Sequence, residues 1–346
     1  MRGLYLLEAG VLELRHDHDT RGTLPSDFVK IRTHYAGICA TDISYYTHGS
    51  PKLRLPIILG HEMSGVVEAV GSDVSSLQPG DAVTVMNDYH LCGTCRYCRS
   101  GNINMCIERR SIGSAENGVF SDHVVVPARM VLKLPTNISL QIGALAEVLA
   151  CIIHGLRQTH TAKGQLVLVM GPGMMGLTTA LAAKAMGCTV VLSGLDRDKG
   201  RLEIARRLGI AHAVSSQQLD LPTLVRELSG GYGADVSFEC AGAEPALASC
   251  LTLTARRGYV AQVAIPRKEY RIDLSPVIQK ELRYVGIYAK NREDWDIALD
   301  MLASKDIEWG QLISDILPLE DYEEAFLRVS QAKDIKILFR LTADRE

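Results

Sequence analysis

The sequence lacks a long uninterrupted apolar run and lacks an excess of charge of either sign. A membrane-spanning helix needs about 18–20 consecutive apolar residues, and the best candidate, residues 140–156, is interrupted by Glu147 and His154. The 37 Lys and Arg against 40 Asp and Glu give a net charge of -3, so there is no electrostatic reason to bind nucleic acid or an anionic membrane. At the amino end Glu8 interrupts a short apolar patch, and no small-residue cleavage site follows. The sequence therefore predicts a soluble, cytoplasmic protein.

The cysteines do not suit a disulfide framework. Their number, nine, is odd, the chain of 346 residues is long, and four of them crowd into residues 92–106. This clustering indicates a metal site in a reducing compartment.

The pattern of the chain changes near residue 149. Before it, short β-branched runs alternate with Gly, Pro and Asp turns, which is typical of a β-rich, barrel-like domain. After it, apolar strands alternate with helices, which indicates a doubly wound parallel sheet. The sequence thus predicts an α/β protein of two domains. The expected strands of the first are residues 28–33, 64–70, 81–85 and 123–126, and the expected domains are 1–148, completed by 287–346, and 149–286.

The four-cysteine loop is the segment that holds Cys92, Cys95, Cys98 and Cys106. Spacings of two, two and seven intervening residues suit a closed tetrahedral zinc site of four thiolates. An iron–sulfur cluster also accepts the first three, but its fourth cysteine usually follows within three residues or comes from elsewhere. Four free cysteines are the remaining alternative. Because a closed site has no open coordination position, the predicted zinc is structural.

A second set of metal-ligating residue types, here called the Cys39 centre, consists of Cys39, His61, Glu62 and Glu147. A thiolate, an imidazole and carboxylates are what a catalytic zinc takes, with one position left for water or substrate. Taken singly, Cys39 also suits a core cysteine, and His61-Glu62 a surface pair. A carboxylate at Glu147, within an apolar helix-like segment, is costly unless it is paired or bound to metal.

A glycine loop, residues 171–176, follows the apolar run 165–170 and precedes a helix-like run at 177–186. Its Gly-x-Gly-x-x-Gly pattern in a strand–turn–helix context is that of a dinucleotide-binding loop: the first glycine turns the chain, the second admits the pyrophosphate and the third packs helix on strand. The helix amino terminus would hold the phosphates. An ordinary glycine turn is the alternative.

Together these motifs resemble the zinc-dependent medium-chain alcohol dehydrogenases, in the branch of the polyol (sorbitol) and threonine dehydrogenases. The resemblance covers essentially the whole chain and rests on Gly-Ile-Cys-Ala-Thr-Asp at 37–42, on Gly-His-Glu at 60–62 with Gly65, and on the four-cysteine loop. It implies a GroES-like β-rich catalytic domain with a Rossmann domain, one catalytic and one structural zinc, and NAD or NADP. It also implies a homodimer or homotetramer joined through the sheet edge of the cofactor domain.

The resemblance also implies roles for residues of the first domain. Cys39 and His61 would bind the catalytic zinc, Glu62 and Glu147 would supply carboxylate ligands, and Asp42 would orient the imidazole of His61. The family usually has Glu-Pro where this chain has Glu147 followed by valine.

The substrate side of the site follows from the same resemblance. Thr41 would contact the substrate oxygen, His48 or Ser44 would pass the proton on to solvent, and Tyr45 stands where polyol dehydrogenases place an aromatic beside the substrate. The structural alternatives are a loop histidine bonded to backbone and an aromatic that packs on the cleft wall.

For the cofactor, the position of the family's ribose-binding carboxylate is Gly194 in this chain. Asp196, two residues later, is the predicted ribose ligand and favours NAD, whereas Arg197 and Lys199 keep NADP possible. The complete set that the resemblance assigns to the cofactor is Gly171, Gly173, Met175, Gly176, Asp196, Arg201, Val263, Ile265, Ile287 and Ala289.

The predicted function is hydride transfer between a secondary alcohol, such as a polyol or sugar alcohol, and NAD(P). The alternatives are a threonine-type or simple-alcohol zinc dehydrogenase and a non-enzymatic zinc protein. A zinc-free quinone or enoyl reductase of the same fold would lack Cys39, His61 and the four-cysteine loop. Sorbitol dehydrogenases carry an Arg-Tyr pair where this chain has Ala289-Lys290, so their substrate arginine is missing here.

Overall fold

The computed structural model describes residues 1–17, 22–266 and 268–342. Its strands in chain order are β1 (Gly3–Glu8), β2 (Val11–Arg15), β3 (Phe28–Gly37), β4 (Ile57–Ile58), β5 (Glu62–Val70), β6 (Ala82–Val85), β7 (Asp88–His90), β8 (Arg110–Ser111), β9 (His123–Pro127), β10 (Val131–Lys133), β11 (Leu166–Met170), β12 (Thr189–Gly194), β13 (His212–Ser215), β14 (Ala234–Glu239), β15 (Thr254–Gln262), β16 (Arg283–Gly286), β17 (Ile313–Pro318) and β18 (Lys336–Arg340). Its α-helices are α1 (Ala40–His48), α2 (Arg96–Arg99), α3 (Leu140–Gly143), α4 (Ala146–Gln158), α5 (Met174–Ala185), α6 (Lys199–Arg207), α7 (Leu221–Leu228), α8 (Glu244–Leu253), α9 (Ser275–Gln279), α10 (Arg292–Ala303) and α11 (Tyr322–Ser330).

The β-rich unit comprises Met1–Glu147, Asn291–Ala303 and the residues from Leu312 on. Its largest sheet has the strand order β10-β6-β5-β3-β18-β17, and β9 also pairs with β3. In β3, buried Val29 and Ile31 alternate with more exposed Lys30 and Arg32, so one face of the sheet is directed to the core. The four strands predicted for this region are confirmed as β3, β5, β6 and β9.

The second unit contains a six-stranded sheet in the order β13-β12-β11-β14-β15-β16. Every neighbouring pair is parallel, and β11 is buried along its whole length, as a strand covered on both faces by helices should be. The strand order reverses between β11 and β14, which is where open α/β sheets place their ligands. The predicted doubly wound sheet is confirmed.

The compact units differ from the expected domain division at three places. The first boundary falls before Val148 rather than after it. The chain returns to the β-rich unit at Asn291 rather than at residue 287, and Ser304–Gln311 clusters with Val148–Lys290. Ser304–Gln311 carries the buried side chains of Ile307 and Trp309. The strand–helix alternation used to divide the sequence contains no element there, so it gave no sign of this segment.

Candidate metal centres and cofactor loop

The four sulfur atoms of the four-cysteine loop lie within 4.8 Å of one another. The short helix α2 begins after Cys95, whose sulfur accepts a hydrogen bond from the N–H of Cys98. Gly93 and Gly101 have φ of 70° and 78°, values that glycine adopts without strain. The local turns therefore direct all four thiols to one point.

This arrangement fits a zinc ion. Tetrahedral zinc with bonds of about 2.3 Å places its sulfurs about 3.8 Å apart. The sulfur of Cys92 lies 3.6 Å from that of Cys106 and 4.0 Å from that of Cys98. Hydrogen bonds from the N–H groups of Cys95 and Thr94 lower the pKa of the Cys92 thiol to about 6, so the loop stabilises the thiolate of Cys92 that zinc would bind. Burial raises the pKa of Cys98 to about 12.

The Cys39 centre is assembled at the start of one helix and the start of one strand. Cys39 immediately precedes α1, His61 immediately precedes β5, and Glu62 is the first residue of β5. The candidate ligand atoms of these three residues lie within 4.8 Å of one another. A thiolate, an imidazole and a carboxylate so grouped suit zinc with room for a further ligand. Glu147 is not in this group, and its position is described below.

Asp42 holds two of these residues in place. Its carboxylate is buried; Oδ2 accepts a hydrogen bond from the N–H of Cys39 at 2.9 Å, and Oδ1 accepts one from the N–H of Gly60 at 3.1 Å. Oδ1 also lies 3.5 Å from Nδ1 of His61. Burial lowers the pKa of His61, but Asp42 outweighs burial and raises it well above its usual value. Contact at Nδ1 leaves Nε2 as the nitrogen for a metal.

Lys336, the first residue of β18, is a buried partner that the sequence reasoning missed. Its Nζ donates to both carboxylate oxygens of Glu62, at 2.9 and 2.6 Å, and to the carbonyl oxygen of Ile38 at 2.9 Å. Burial lowers the pKa of Lys336, but the charges of Glu62 and Cys39 outweigh burial and raise it. The raised pKa favours the protonated lysine, so a positive charge contacts the carboxylate of Glu62.

Glu147 lies in the first turn of α4 and is buried. Its Oε1 accepts a hydrogen bond from Nδ2 of Asn87 at 2.9 Å. Its negative charge acts on the pKa values of both Glu62 and Lys336, so it belongs to the same electrostatic environment. Glu62 is thus paired with Lys336, and Glu147 is hydrogen-bonded to Asn87.

Helix α1 carries the residues that the resemblance assigns to the substrate side. Thr41 lies in its first turn and is half-buried, as is Tyr45, whereas His48 ends the helix and is exposed. Nδ1 of His48 is 2.6 Å from Oγ1 of Thr47. His48 thus ends a helix and contacts a neighbouring side chain, whereas the structural alternative was a loop histidine bonded to backbone.

The glycine loop has the geometry that a dinucleotide needs. Gly171 follows β11 with φ of 101°. A Cβ on Gly173, the residue before α5, would meet no atom within 4 Å, whereas a Cβ on Gly176 would lie 1.8 Å from the carbonyl oxygen of Gly171. The second glycine therefore opens onto space for a pyrophosphate, and the third is required for packing of the helix on the loop.

The other cofactor residues follow the carboxyl ends of the same sheet. Val263 and Ile265 come after β15, and Ile287 and Ala289 come after β16. Ile265 is 79% exposed. Asp196 and Arg201 come after β12, on the opposite side of β11 in the strand order. Because the strands are parallel, these loops all lie at the carboxyl-terminal ends of the strands, on one side of the sheet.

The comparisons with known proteins agree with this geometry. The alcohol dehydrogenase GroES-like domain matches residues 25–136, and the zinc-binding dehydrogenase domain matches residues 175–304. A sorbitol dehydrogenase of Halalkalibacterium halodurans is 36% identical over 311 residues, which cover 90% of this chain and 90% of that protein. The chain belongs to the zinc-dependent medium-chain alcohol dehydrogenases. The resemblance and the fold class predicted from the sequence are confirmed.

Two further relatives of this medium-chain dehydrogenase bear on substrate and cofactor. A D-arabitol-phosphate dehydrogenase of Enterococcus avium is 34% identical over 314 residues, which cover 90% of this chain and 89% of that protein. A zinc-binding dehydrogenase from Sinorhizobium meliloti, solved with NADP bound, has a TM-score of 0.88 and 27% identity and covers 98% of each chain. Within the described part of this dehydrogenase, no helix has the length and apolarity needed to cross a bilayer.

Two partners in the Cys39 centre of this dehydrogenase, Lys336 and Asn87, were not found by sequence reasoning. A signal for Lys336 exists: it interrupts an otherwise apolar run, with Ile335 before it and Ile337 after it, and lysine is rarely buried unless it is paired. Asn87 follows a strand in a polar context and carries no comparable signal.

Proposed function

We propose that this chain is a zinc-dependent dehydrogenase that transfers a hydride between a polyol, or a polyol derivative such as a phosphate, and NAD(P). The grouping of Cys39, His61 and Glu62 within 4.8 Å carries the proposal, because this donor set suits a catalytic zinc with an open position. The two relatives named for sorbitol and for D-arabitol phosphate support the polyol class. They do not favour the threonine-type or simple-alcohol alternative.

We assign one zinc to the four-cysteine loop and one to the Cys39 centre. In the latter, Cys39, His61 and Glu62 are the first ligands, since their donor atoms already form one group. Glu147 is the additional carboxylate, reaching the ion directly or through water, since its charge acts on the same residues. Lys336 compensates the negative charge that the thiolate and carboxylate bring into a buried place.

The chemistry divides between the bound groups and the side chains of this chain. Zinc would act as a Lewis acid that lowers the pKa of the substrate hydroxyl, and the nicotinamide would take the hydride from the carbon. Asp42 keeps the His61 ring in the orientation that presents Nε2. Thr41 receives the hydroxyl proton, and Ser44 and His48, three and seven residues further along α1, lie on the same helix face and pass it to solvent.

We also propose that two copies associate through β16. This strand is at one end of the six-stranded sheet. Large apolar side chains in the strand and in the segment that precedes it in the chain are exposed: Tyr284 by 43%, Leu274 by 55% and Ile278 by 79%. An exposed edge strand beside an apolar surface suits pairing with a second copy of the same strand about a twofold axis.

Because the four-cysteine loop must keep its thiols reduced to bind zinc, we place the protein in the cytoplasm.

A substrate panel tests the proposed function. Zinc-loaded protein is incubated with NAD or NADP and with polyols, polyol phosphates, sugar acids, simple secondary alcohols or threonine, and reduced cofactor is followed by absorbance. We expect the highest kcat/KM with a polyol or polyol phosphate, and a kcat/KM lower by about 10³-fold or more in the Cys39→Ser variant. Oxidation of threonine or of simple alcohols alone would support the alternative, and silence across the panel would refute the dehydrogenase function.

A further inference from the structure

Glu239, the last residue of β14, is a buried carboxylate that the proposed function does not use. Its Oε1 accepts hydrogen bonds from the backbone N–H groups of Ala241 and Gly242, both at 2.9 Å, and a longer one from Ala243 at 3.5 Å. A buried glutamate is rare unless its oxygens have partners. Here one oxygen holds the turn of residues 240–243, called the β14 turn below, which joins β14 to α8.

The second carboxylate oxygen of Glu239 is bound from the neighbouring strand. Oε2 accepts a hydrogen bond from Nε2 of Gln262, the last residue of β15, at 2.5 Å, and the same Nε2 donates to the carbonyl oxygen of Ala264 at 2.6 Å. Oε1 of Gln262 accepts from the hydroxyl of Tyr284 at 3.1 Å. The main-chain carbonyl oxygen of Glu239 accepts from the N–H groups of Val263 and Ala264 at 3.0 and 3.1 Å. Glu239 therefore holds the segment after β15 as well as the β14 turn.

The β14 turn packs against the glycine loop. A Cβ on Gly171 would lie 2.9 Å from both Cα and N of Ala241, so the two backbones are in close contact. A Cβ on Gly242 would lie 3.4 Å from the carbonyl oxygen of Ile265. The turn thus contacts the glycine loop and the segment after β15, two segments that the resemblance assigns to the cofactor.

We propose that Glu239 is a positioning residue for the dinucleotide: its carboxylate holds the β14 turn and the segment after β15 at the spacing that the cofactor requires. This inference rests on the dinucleotide binding contained in the proposed function. The carboxylate itself need not touch the cofactor. Because an open α/β sheet binds its ligand at the carboxyl ends of its strands, a shift of either segment changes the surface that the cofactor contacts.

The opposite end of the same strand supplies a matched control. Asp235, the second residue of β14, uses its Oδ2 to accept a hydrogen bond from the N–H of Leu166, the first residue of β11, at 2.7 Å. This contact also joins a carboxylate to backbone, but it lies at the amino ends of the strands, away from the ligand side of the sheet. A residue that only stabilises the sheet should behave alike at either end.

The experiment measures binding rather than turnover. Zinc-loaded full-length protein is titrated with NADH and with NADPH, and reduced-nicotinamide fluorescence gives the Kd values of the natural chain, Glu239→Gln, Gln262→Met and the control Asp235→Asn. Glutamine at position 239 keeps the shape of the side chain but replaces one acceptor oxygen by a donor NH2 group. We expect about tenfold weaker binding of both cofactors in Glu239→Gln and about threefold in Gln262→Met, since each loses a buried hydrogen bond. Asp235→Asn should lower the midpoint of urea unfolding and leave both Kd values within about twofold, since distant sites act independently.

The comparison of Glu239→Gln with Asp235→Asn separates positioning of the cofactor from stabilisation of the sheet. Unchanged Kd values in Glu239→Gln, or an equal loss of affinity in Asp235→Asn, would overturn the assignment of Glu239. If Glu239→Gln does not fold, unchanged Kd values in Gln262→Met overturn it in the same way. Binding of neither cofactor by the natural chain would overturn the proposed function itself, and the inference with it.

Discussion

The two candidate metal centres are built in opposite ways. The four-cysteine loop takes all of its ligands from residues 92–106, and its sulfurs meet through local turns. The Cys39 centre takes its candidate ligands Cys39, His61 and Glu62 from the starts of α1 and β5, and Glu147, in the first turn of α4, adds a further buried carboxylate. Its charges are held by Lys336 and Asn87, which come from other parts of the chain.

The four-cysteine loop can form its site through local turns alone, whereas the Cys39 centre depends on contacts between distant parts of the chain. Four thiolates around one ion need no outside support, and the ion then stiffens the loop. A site with an open position instead needs each ligand to be oriented by neighbours, because no full ligand shell fixes the geometry. We therefore expect changes in the first centre to affect the loop and changes in the second to affect turnover.

The largest expected effect is on turnover in Cys39→Ser. Loss of the thiolate should remove the catalytic zinc and reduce kcat/KM by about 10³-fold or more, since Lewis-acid assistance supplies several kcal/mol. The zinc content should fall from two to one per chain. The matched control, Cys98→Ser, should also lose one zinc but keep turnover per folded molecule within a few-fold. Equal loss of turnover in both variants would remove the distinction between the centres.

The next effect is on stability in Lys336→Met. Removing the ammonium leaves Glu62 buried without its partner, and breaking one half of a buried ion pair costs about 3–5 kcal/mol. Urea unfolding of the zinc-free protein measures this free energy. The double variant Lys336→Met with Glu62→Gln should recover most of the loss. A single variant as stable as the natural chain would show that the lysine does not stabilise the Cys39 centre.

A smaller effect is expected for Asp42→Asn. The amide preserves the shape of the side chain but removes the negative charge that faces Nδ1 of His61 and accepts from two backbone N–H groups. A group that contacts the other ring nitrogen of a metal-bound histidine contributes about 10- to 100-fold to the metal affinity. Competition with a zinc chelator should show this loss at one of the two sites. Unchanged affinity at both sites would exclude the orienting role.

The smallest effect is expected for an ionic contact outside both centres. Glu68 is 2.7 Å from both Lys30 and His123. Burial raises its pKa, but hydrogen bonds from Lys30 and His123 outweigh burial and lower it to about 2. Because the folded-state pKa lies below the ordinary value, its stabilisation is complete above about pH 4.5 and is lost as pH falls toward 2. Glu68→Gln should cost about 0.5–1 kcal/mol at neutral pH.

The measurement for Glu68 is urea unfolding of the natural chain and of Glu68→Gln at several pH values. The difference between the two free energies of unfolding should shrink toward zero in acid. A difference that stays constant from neutral pH to pH 3 would mean that the charge of Glu68 is not the cause.

The sequence predicts what is local and misses what the fold brings together. The spacing of the four-cysteine loop and the glycines after β11 each specify their geometry within one short segment. Lys336 meets Glu62 across 274 positions of sequence, and no local pattern names that partner. Asp196 likewise has a partner that no local pattern names, since its Oδ1 accepts a hydrogen bond from Oγ of Ser215 at the end of β13.

The central claim, that the Cys39 centre holds the catalytic zinc and the four-cysteine loop a structural one, is tested most directly by stepwise chelation of the natural chain. Zinc content, turnover and circular dichroism are followed on the same samples. We expect turnover to vanish with the loss of one zinc per chain while the second zinc and the folded signal remain, and to return when zinc is added. Turnover that persists after one zinc has left the Cys39 centre, or two zincs that leave together with unfolding, would contradict the account.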